Sequence, residues 1–488
     1  MSSAILLSIV LAYFVLLLSI AFYTSRHSNN ESFFIGNRNS KWWIVAFGMI
    51  GTSLSGMTFI SVPGVVGKTG FDYFQVVIGY WLGYFAVAFI LLPLYYRLQL
   101  TSIYTYLEKR LGITAYKTGA MFFILSRTLG ATLRLYLVIK VLEKFVLEGM
   151  GISFEVTAIV ILVLILLYTY RGGVKTIVWT DTLQTTFMIL ALLVCVWYIM
   201  DTLHLDFSST WAAMQEKGYT KLLHTDPKES NFFLKQILGG AFITIAMTGL
   251  DQEMMQKNIS VSNLKDSQKN MITFCFTLLV ANFIFLLLGG LLYLYAEAKG
   301  ISVIGDDLFP TIAVSSGLPF YITVCFLIGL VSALFPSADG ALTALTSSFC
   351  IDILGMKRRG WDEKKKKQVR LVVHNVFAII FLACVFFFRE VDNGSLIQIL
   401  LVVAGYTYGP LLALFSFGIF TKRNVMNTAV PIICVLAPVL CYILKQHDKQ
   451  WLGGYTIGTE LLIINAGLAF LMLFLCSKKS DPSLAFEE

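Results

Sequence analysis

The sequence predicts an all-α polytopic membrane protein of about 13 transmembrane helices. Three observations carry this. Of 488 residues, 57% are hydrophobic and 14% charged, with a mean hydropathy of +0.76. Soluble domains run near about 45–50% apolar and about 25% charged. The apolar residues fall into runs of about 20, the length a helix needs to cross about 30 Å of hydrocarbon, and lack the alternation of barrel strands. Short polar loops separate the runs; the longest, 202–230 and 356–370, are too small for an appended soluble domain.

The first run, 4–24, has no basic region ahead of it, and the first basic residue, Arg26, follows it. It reads as a retained helix with its N-terminus outside. The later runs are 41–67, 73–97, 117–147, 152–170, 176–201, 231–256, 270–298, 311–355, 367–389, 394–420, 425–445 and 452–476. Starting outside, alternate loops are cytoplasmic. They hold 24 of the 37 Lys and Arg residues, among them Arg38, Arg171, Lys175, Lys257, Lys265, Lys269, Lys478 and Lys479. This positive-inside bias places the C-terminus in the cytoplasm and the protein in the cell membrane. It also accounts for the net charge of +8 without a nucleic-acid partner. The eight cysteines lie almost entirely in apolar runs and form no C-x-x-C pair, so they read as small buried hydrophobes.

Runs two and seven are interrupted in the middle by Gly, Ser and Thr: GMIGTSLSGMTF (48–59) and GGAFITIAMTGLDQ (239–252). They lie five runs apart. Interrupted helices at matching places in two inverted halves point to a transporter binding site. Irregular backbone survives at membrane depth only where it lines a cavity or is buried in protein. Small residues for close helix packing are the plainer reading.

The stretch VSALFPSADGALTALTSSFCID, 331–352, carries a carboxylate inside an apolar run. As a helix it puts Ala333, Ser337, Gly340, Ala344 and Ser347 on one small-residue stripe and Asp339, Thr343 and Thr346 on the next. Pro336 removes one helical N–H and frees the carbonyl of Ser332. Carboxylate, hydroxyl and freed carbonyl are hard oxygen ligands for a small cation. An intramembrane Asp is functional by default; a kinked packing helix with a satisfied Asp is the alternative.

The segment YTYRGGVKTIVWTDTLQ, 168–184, resembles the sodium/solute symporter family through Tyr168, Thr169, Gly172, Gly173, Trp179, Thr180, Asp181 and Gln184. LPLYYRLQLTSIYTYLEKRLG, LDQEMMQKNISVSNLKDSQKN and YGPLLALFSFGIFTKR resemble other family segments, and the likeness covers residues 35 to 424. The resemblance implies one LeuT-like transporter domain over 1–488. Two inverted five-helix repeats, 41–201 and 231–420, are preceded by the extra helix 4–24 and followed by two peripheral helices within 425–476. It implies Na+ as the co-transported ion. The first sodium site falls on the carbonyls of Gly51 and Leu54 and on Ala333 and Ser337. Pro336 stands where a hydroxyl is expected, and the Ser332 carbonyl is its expected substitute. A second sodium site falls on Asp181, with Asp339 and Gly340 at two hydroxyl positions, so Asp181 and Asp339 are expected to share a cation. Substrate contacts fall on Ser53, Ser55 and Thr58, and near Gln75. Arg127 and Arg134 are seven residues apart and nearly on one helical face. Either serves a substrate carboxylate, with Arg134 the better placed, or neutralises Asp181 or Asp339.

The function this implies is a sodium-coupled symporter that imports a small organic solute by alternating access. Sugar, sialic acid or another carboxylate, and amino acid all remain open as substrates. The partners are that solute, sodium and the lipid bilayer; nothing in the sequence sets an oligomeric state. A proton-coupled carrier using Asp181 and Asp339 is the alternative within transport. A non-transporting membrane sensor is a second class, for which 488 residues leave no room for a fused signalling domain. An enzyme is not indicated. The chain has no H-E-x-x-H, G-x-S-x-G or phosphate-cradling loop, and its five histidines are not paired at metal spacing.

Overall fold

In hydrocarbon every backbone N–H and C=O must be bonded within its own segment, so long apolar runs fold as helices. The computed structural model describes residues 3–24, 40–315, 317–392 and 396–479. Arg26 and Arg38 lie outside the described residues, as do the side chains at 168, 171–176, 315 and 357 and with them Tyr168, Arg171, Gly172, Gly173 and Lys175 of the motif segment.

The chain opens with α1 (Ser3–Thr24), followed by a bent pair, α2 (Trp42–Ser53) and α3 (Gly56–Thr69). Then come α4 (Tyr73–Arg97), α5 (Ile113–Met150), α6 (Phe154–Thr202) and the surface helix α7 (Phe207–Glu216). A second bent pair, α8 (Phe233–Gly249) and α9 (Gln252–Ile259), opens the second half. It continues with α10 (Leu264–Ala298), α11 (Phe320–Ile353), α12 (Glu363–Val391) and α13 (Leu396–Phe420). The last helices are α14 (Ala429–Gln446) and α15 (Leu461–Leu475). Among the described residues nine helices are long and apolar enough to span a membrane, or eleven if each bent pair counts as one span. Two further apolar stretches, Phe154–Leu167 and Leu461–Leu475, are shorter.

Three boundaries differ from expectation: the helix of run 311–355 begins at Phe320, that of run 452–476 begins at Leu461, and one loop is absent. Runs 152–170 and 176–201 are not parted by a loop, because the backbone is helical from Phe154 to Thr202. Glycine costs a helix only about 1 kcal/mol relative to alanine, and the strong apolar runs on either side outweigh Gly172 and Gly173.

The core is built by α11 packed on α6, with α2 also against α6, and by α4 packed on α8. Gly79 and Gly240 let α4 and α8 touch backbone to backbone: a Cβ at Gly79 would stand 2.9 Å from the Ala241 nitrogen. This is how small residues replace the absent hydrophobic drive between helices in lipid. The extra helix α1 rests on α6 and α11, and the Tyr13 hydroxyl meets Ser332 Oγ at 2.6 Å. In α13, Pro410 displaces the Tyr406 carbonyl from its helical bond. The Asn465 amide of α15 donates to that carbonyl at 2.8 Å and to Gly405 at 3.0 Å. A short antiparallel pair, β1 (Arg423–Val425) with β2 (Ser477–Lys479), ties the ends of α13 and α15 together.

Candidate transport site

Both bent pairs break where small and polar residues interrupt the apolar run. α2 ends at Ser53; Leu54 (φ −80°, ψ 79°) and Ser55 (φ −80°, ψ 176°) are non-helical, and α3 leaves at 55°. In the second pair a π-turn over Ile245–Gly249 precedes a break of 64°. Asp251 caps α9 there, its carboxylate accepting the N–H groups of Glu253 (2.9 Å) and Met254 (3.2 Å). Aspartate is a preferred residue at this position because it satisfies orphan donors of the first turn.

Between the breaks lies a partly open cavity of about 90 Å³. Ser53, Ser55, Thr58 and Arg134, expected at the substrate site, all line it. Tyr73, Tyr80 and Tyr84 of α4 and Asn282 of α10 also face it. The Tyr84 hydroxyl lies beside Ser53 and Thr248, one residue from each broken helix. Gln75 does not line the cavity. It is buried, and its amide donates to the carbonyls of Asp72 (3.2 Å) and Asn231 (3.4 Å). Two residues along a helix turn a side chain through about 200°, so Tyr73 faces the cavity where Gln75 was expected.

Arg134 is 8% exposed, its Nε has no hydrogen-bond partner, and it forms no ion pair among the described residues. It neutralises neither Asp181 nor Asp339. Arg127, two turns earlier on the same face, is paired at the second break: Nη2 bonds Glu253 Oε2, and Nε lies 3.8 Å from Asp251 Oδ2. Tyr408 of α13 donates to the same Asp251 carboxylate at 3.1 Å.

The cation nearest Asp181 belongs to the chain itself. Asp181 Oδ2 pairs with Lys257 Nζ at 2.7 Å, and Lys257 also reaches Thr52 Oγ1 (2.6 Å) and Glu253 Oε1 (3.2 Å). Lys257, assigned above to a cytoplasmic loop, is 2% exposed and sits in the last turn of α9. The broken helix runs on to Ile259, past the end of the apolar run, and three buried acceptors hold the ammonium there. Asp339 Oδ1 accepts the Gly340 N–H at 2.5 Å. Its field reaches Lys257 too, behind the nearer charges of Asp181 and Glu253. Asp181 is therefore not a bare carboxylate.

The residues expected at the first sodium site lie on packed elements. Gly51, Leu54, Ala333, Ser332 and Ser337 are all buried, and α11 packs on both α2 and α3. Gly51 sits directly on Thr185 of α6. The Ser337 hydroxyl donates to the Leu334 carbonyl at 2.9 Å, which leaves its lone pairs free to accept or to ligate. The Ser332 hydroxyl shares a hydrogen bond with Tyr13, and its carbonyl is the one that Pro336 frees.

Sequence reasoning missed Lys257 and Glu253. One signal was available: Glu253 and Lys257 are spaced i, i+4 on a helix capped by Asp251, the favourable order for such a pair.

A sequence model of the sodium:solute symporter family matches residues 33–431. Sodium/sialic acid symporter SiaT of Proteus mirabilis (strain HI4320) is 24% identical, over 97% of this chain and 96% of its own length. Sodium-coupled monocarboxylate transporter 2 of Mus musculus is 24% identical, over 81% of this chain and 64% of its own. The fold is similar to a solved structure of a Na+-coupled sialic acid symporter in a substrate-bound outward-open state. The TM-score is 0.82 at 20% identity, over 98% of this chain and 99% of the other. The architecture is thus LeuT-like.

Proposed function

Since the chain belongs to the sodium:solute symporter family, we propose that it imports a small carboxylate-bearing solute, a sialic acid or another monocarboxylate, together with sodium. It is a transporter and not an enzyme. The observation that carries the substrate class is Arg134, a buried guanidinium on the cavity wall with no hydrogen bond or ion pair among the described residues. A buried guanidinium without a bonded partner is costly, and a carboxylate relieves it through two parallel N–H···O bonds. The two relatives named above, a sialic acid symporter and a monocarboxylate transporter, are each named for an acidic solute. Ser53, Ser55 and Thr58 supply hydroxyls and the α4 tyrosines supply apolar faces for the rest of the solute.

In this reading sodium binds at the break of α2 and α3. Its ligands are the carbonyls of Gly51, Leu54 and Ala333 and the Ser337 hydroxyl, with the Ser332 carbonyl freed by Pro336 completing the set. The repeats 41–201 and 231–420 rock about the cavity, with the N-terminus outside and the C-terminus in the cytoplasm of the cell that holds the membrane.

The test is uptake by purified protein in liposomes, with and without an inward sodium gradient. Labelled sialic acid, lactate and glucose are compared. Acid uptake should need sodium, and Arg134→Gln should weaken it about 10- to 100-fold, the equivalent of about 1.5–3 kcal/mol for a charged hydrogen bond. Arg134→Lys should restore only part, because a point charge does not reproduce the planar fork. Sodium-driven glucose uptake that is indifferent to Arg134 would refute the carboxylate assignment.

A further inference from the structure

We propose that the Lys257 ammonium is a built-in cation that permanently fills the Asp181 site, so that the chain couples its solute to one sodium ion and not two. This rests on the sodium-coupled reading above and deepens it by setting the ion count.

An ammonium has three donors and no acceptor. Here each finds one oxygen: Thr52 Oγ1 at 2.6 Å, Asp181 Oδ2 at 2.7 Å and Glu253 Oε1 at 3.2 Å. Both carboxylate side chains are at most 3% exposed. The Thr52 hydroxyl also donates to Asp181 Oδ2 at 3.2 Å. The charge of Asp181 is thus met by a group that is covalently part of the chain.

The opposite wall of the site is rebuilt to match. A Cβ at Gly340 would fall on the Glu253 carboxylate, 2.7 Å from its Cδ. The absent side chain makes the room that Glu253 occupies, and Arg127 holds Glu253 from its far side. A serine hydroxyl at 340 has no space. The resemblance to the family pattern fails at 339 and 340, and Gly340 lies against Glu253.

A free sodium ion must enter and leave in each cycle, whereas a tethered ammonium does neither. The remaining oxygen, Asp181 Oδ1, has no hydrogen-bond partner and is the atom a second sodium would need. A monovalent cation there would face the Lys257 charge on the same carboxylate.

The experiment is equilibrium binding of radioactive sodium, with sodium alone, to purified full-length protein. The wild type should bind one ion per chain, and Ser337→Ala should weaken that ion at least about 10-fold. Lys257→Ala should bind a second ion, and Lys257→Arg should not. If Lys257→Ala fails to fold, Asp181→Asn/Lys257→Met removes both charges together and should still bind one. Two ions on the wild type, with one lost in the double variant, would overturn the inference and leave sodium coupling intact. No sodium on the wild type would overturn the sodium-coupled reading itself, and this inference with it.

Discussion

Gly340→Ala is the smallest change that reaches the charged centre. The new Cβ would stand 2.7 Å from Glu253 Cδ and 3.3 Å from its Cγ, where ordinary contact begins at 3.4 Å. The carboxyl carbon must therefore withdraw by about 0.7 Å. Glu253 is 2% exposed and is held by Arg127 on one oxygen and Lys257 on the other, so it cannot swing into solvent. Overpacking of a closed site costs about 1–3 kcal/mol. Stretching the Glu253–Lys257 bond adds part of the about 1.5–3 kcal/mol of a charged hydrogen bond. The total is about 2–5 kcal/mol. It should appear as a lower apparent melting temperature of the purified protein, compared at one scan rate because such unfolding is often irreversible. Glu253→Asp retracts the carboxylate by one methylene and should recover part of the loss in the double variant. A Gly340→Ala protein that melts and transports like its parent would refute the placement of Glu253 against α11.

Arg127→Leu should destabilise more, by about 3–5 kcal/mol, because it strands the buried carboxylates of Glu253 and Asp251; melting of the single variant and of Arg127→Leu/Glu253→Leu, which should regain part of the loss, checks it. Asp72 lies in the turn before α4, outside the spans, and burial raises its pKa more than Asn231 and His224 lower it. A carboxyl whose folded pKa is raised stabilises fully below its unfolded pKa and loses that contribution as pH rises through the folded one. The melting temperature of Asp72→Asn relative to the parent should therefore rise between about pH 4 and pH 7. A constant difference across that range would count against it.

Local chemistry made the broken helices readable. Gly, Ser and Thr within an apolar run mark α2–α3 and α8–α9; Ser53, Ser55 and Thr58 came from the family resemblance and Arg134 from its place in an apolar run, and all four line the cavity. Lys257 was not readable by the same logic. A lysine just past an apolar run ordinarily marks a loop, and its burial depends on acceptors from α2 and α6, far away in sequence. Gln75 lies off the cavity wall for a smaller reason, an offset of two residues that rotates a side chain to the opposite face. The fate of Arg127 was open because a sequence offers every buried carboxylate as a partner, and only the packing of α5 on the second break selects Glu253 and Asp251.

The amide of Asn465 has a mechanical consequence for α13. A proline inside a helix usually leaves a soft joint, since the carbonyl it strands can turn toward water or any passing donor. Here the stranded Tyr406 oxygen is pinned from α15, with Gly405 beside it. Pro410 is therefore braced by a neighbouring helix, and any flexing of α13 there must carry α15 along or break two hydrogen bonds. The peripheral helix becomes a brace, and the stiffness of the cavity's α13 wall is decided by a residue that never touches the solute.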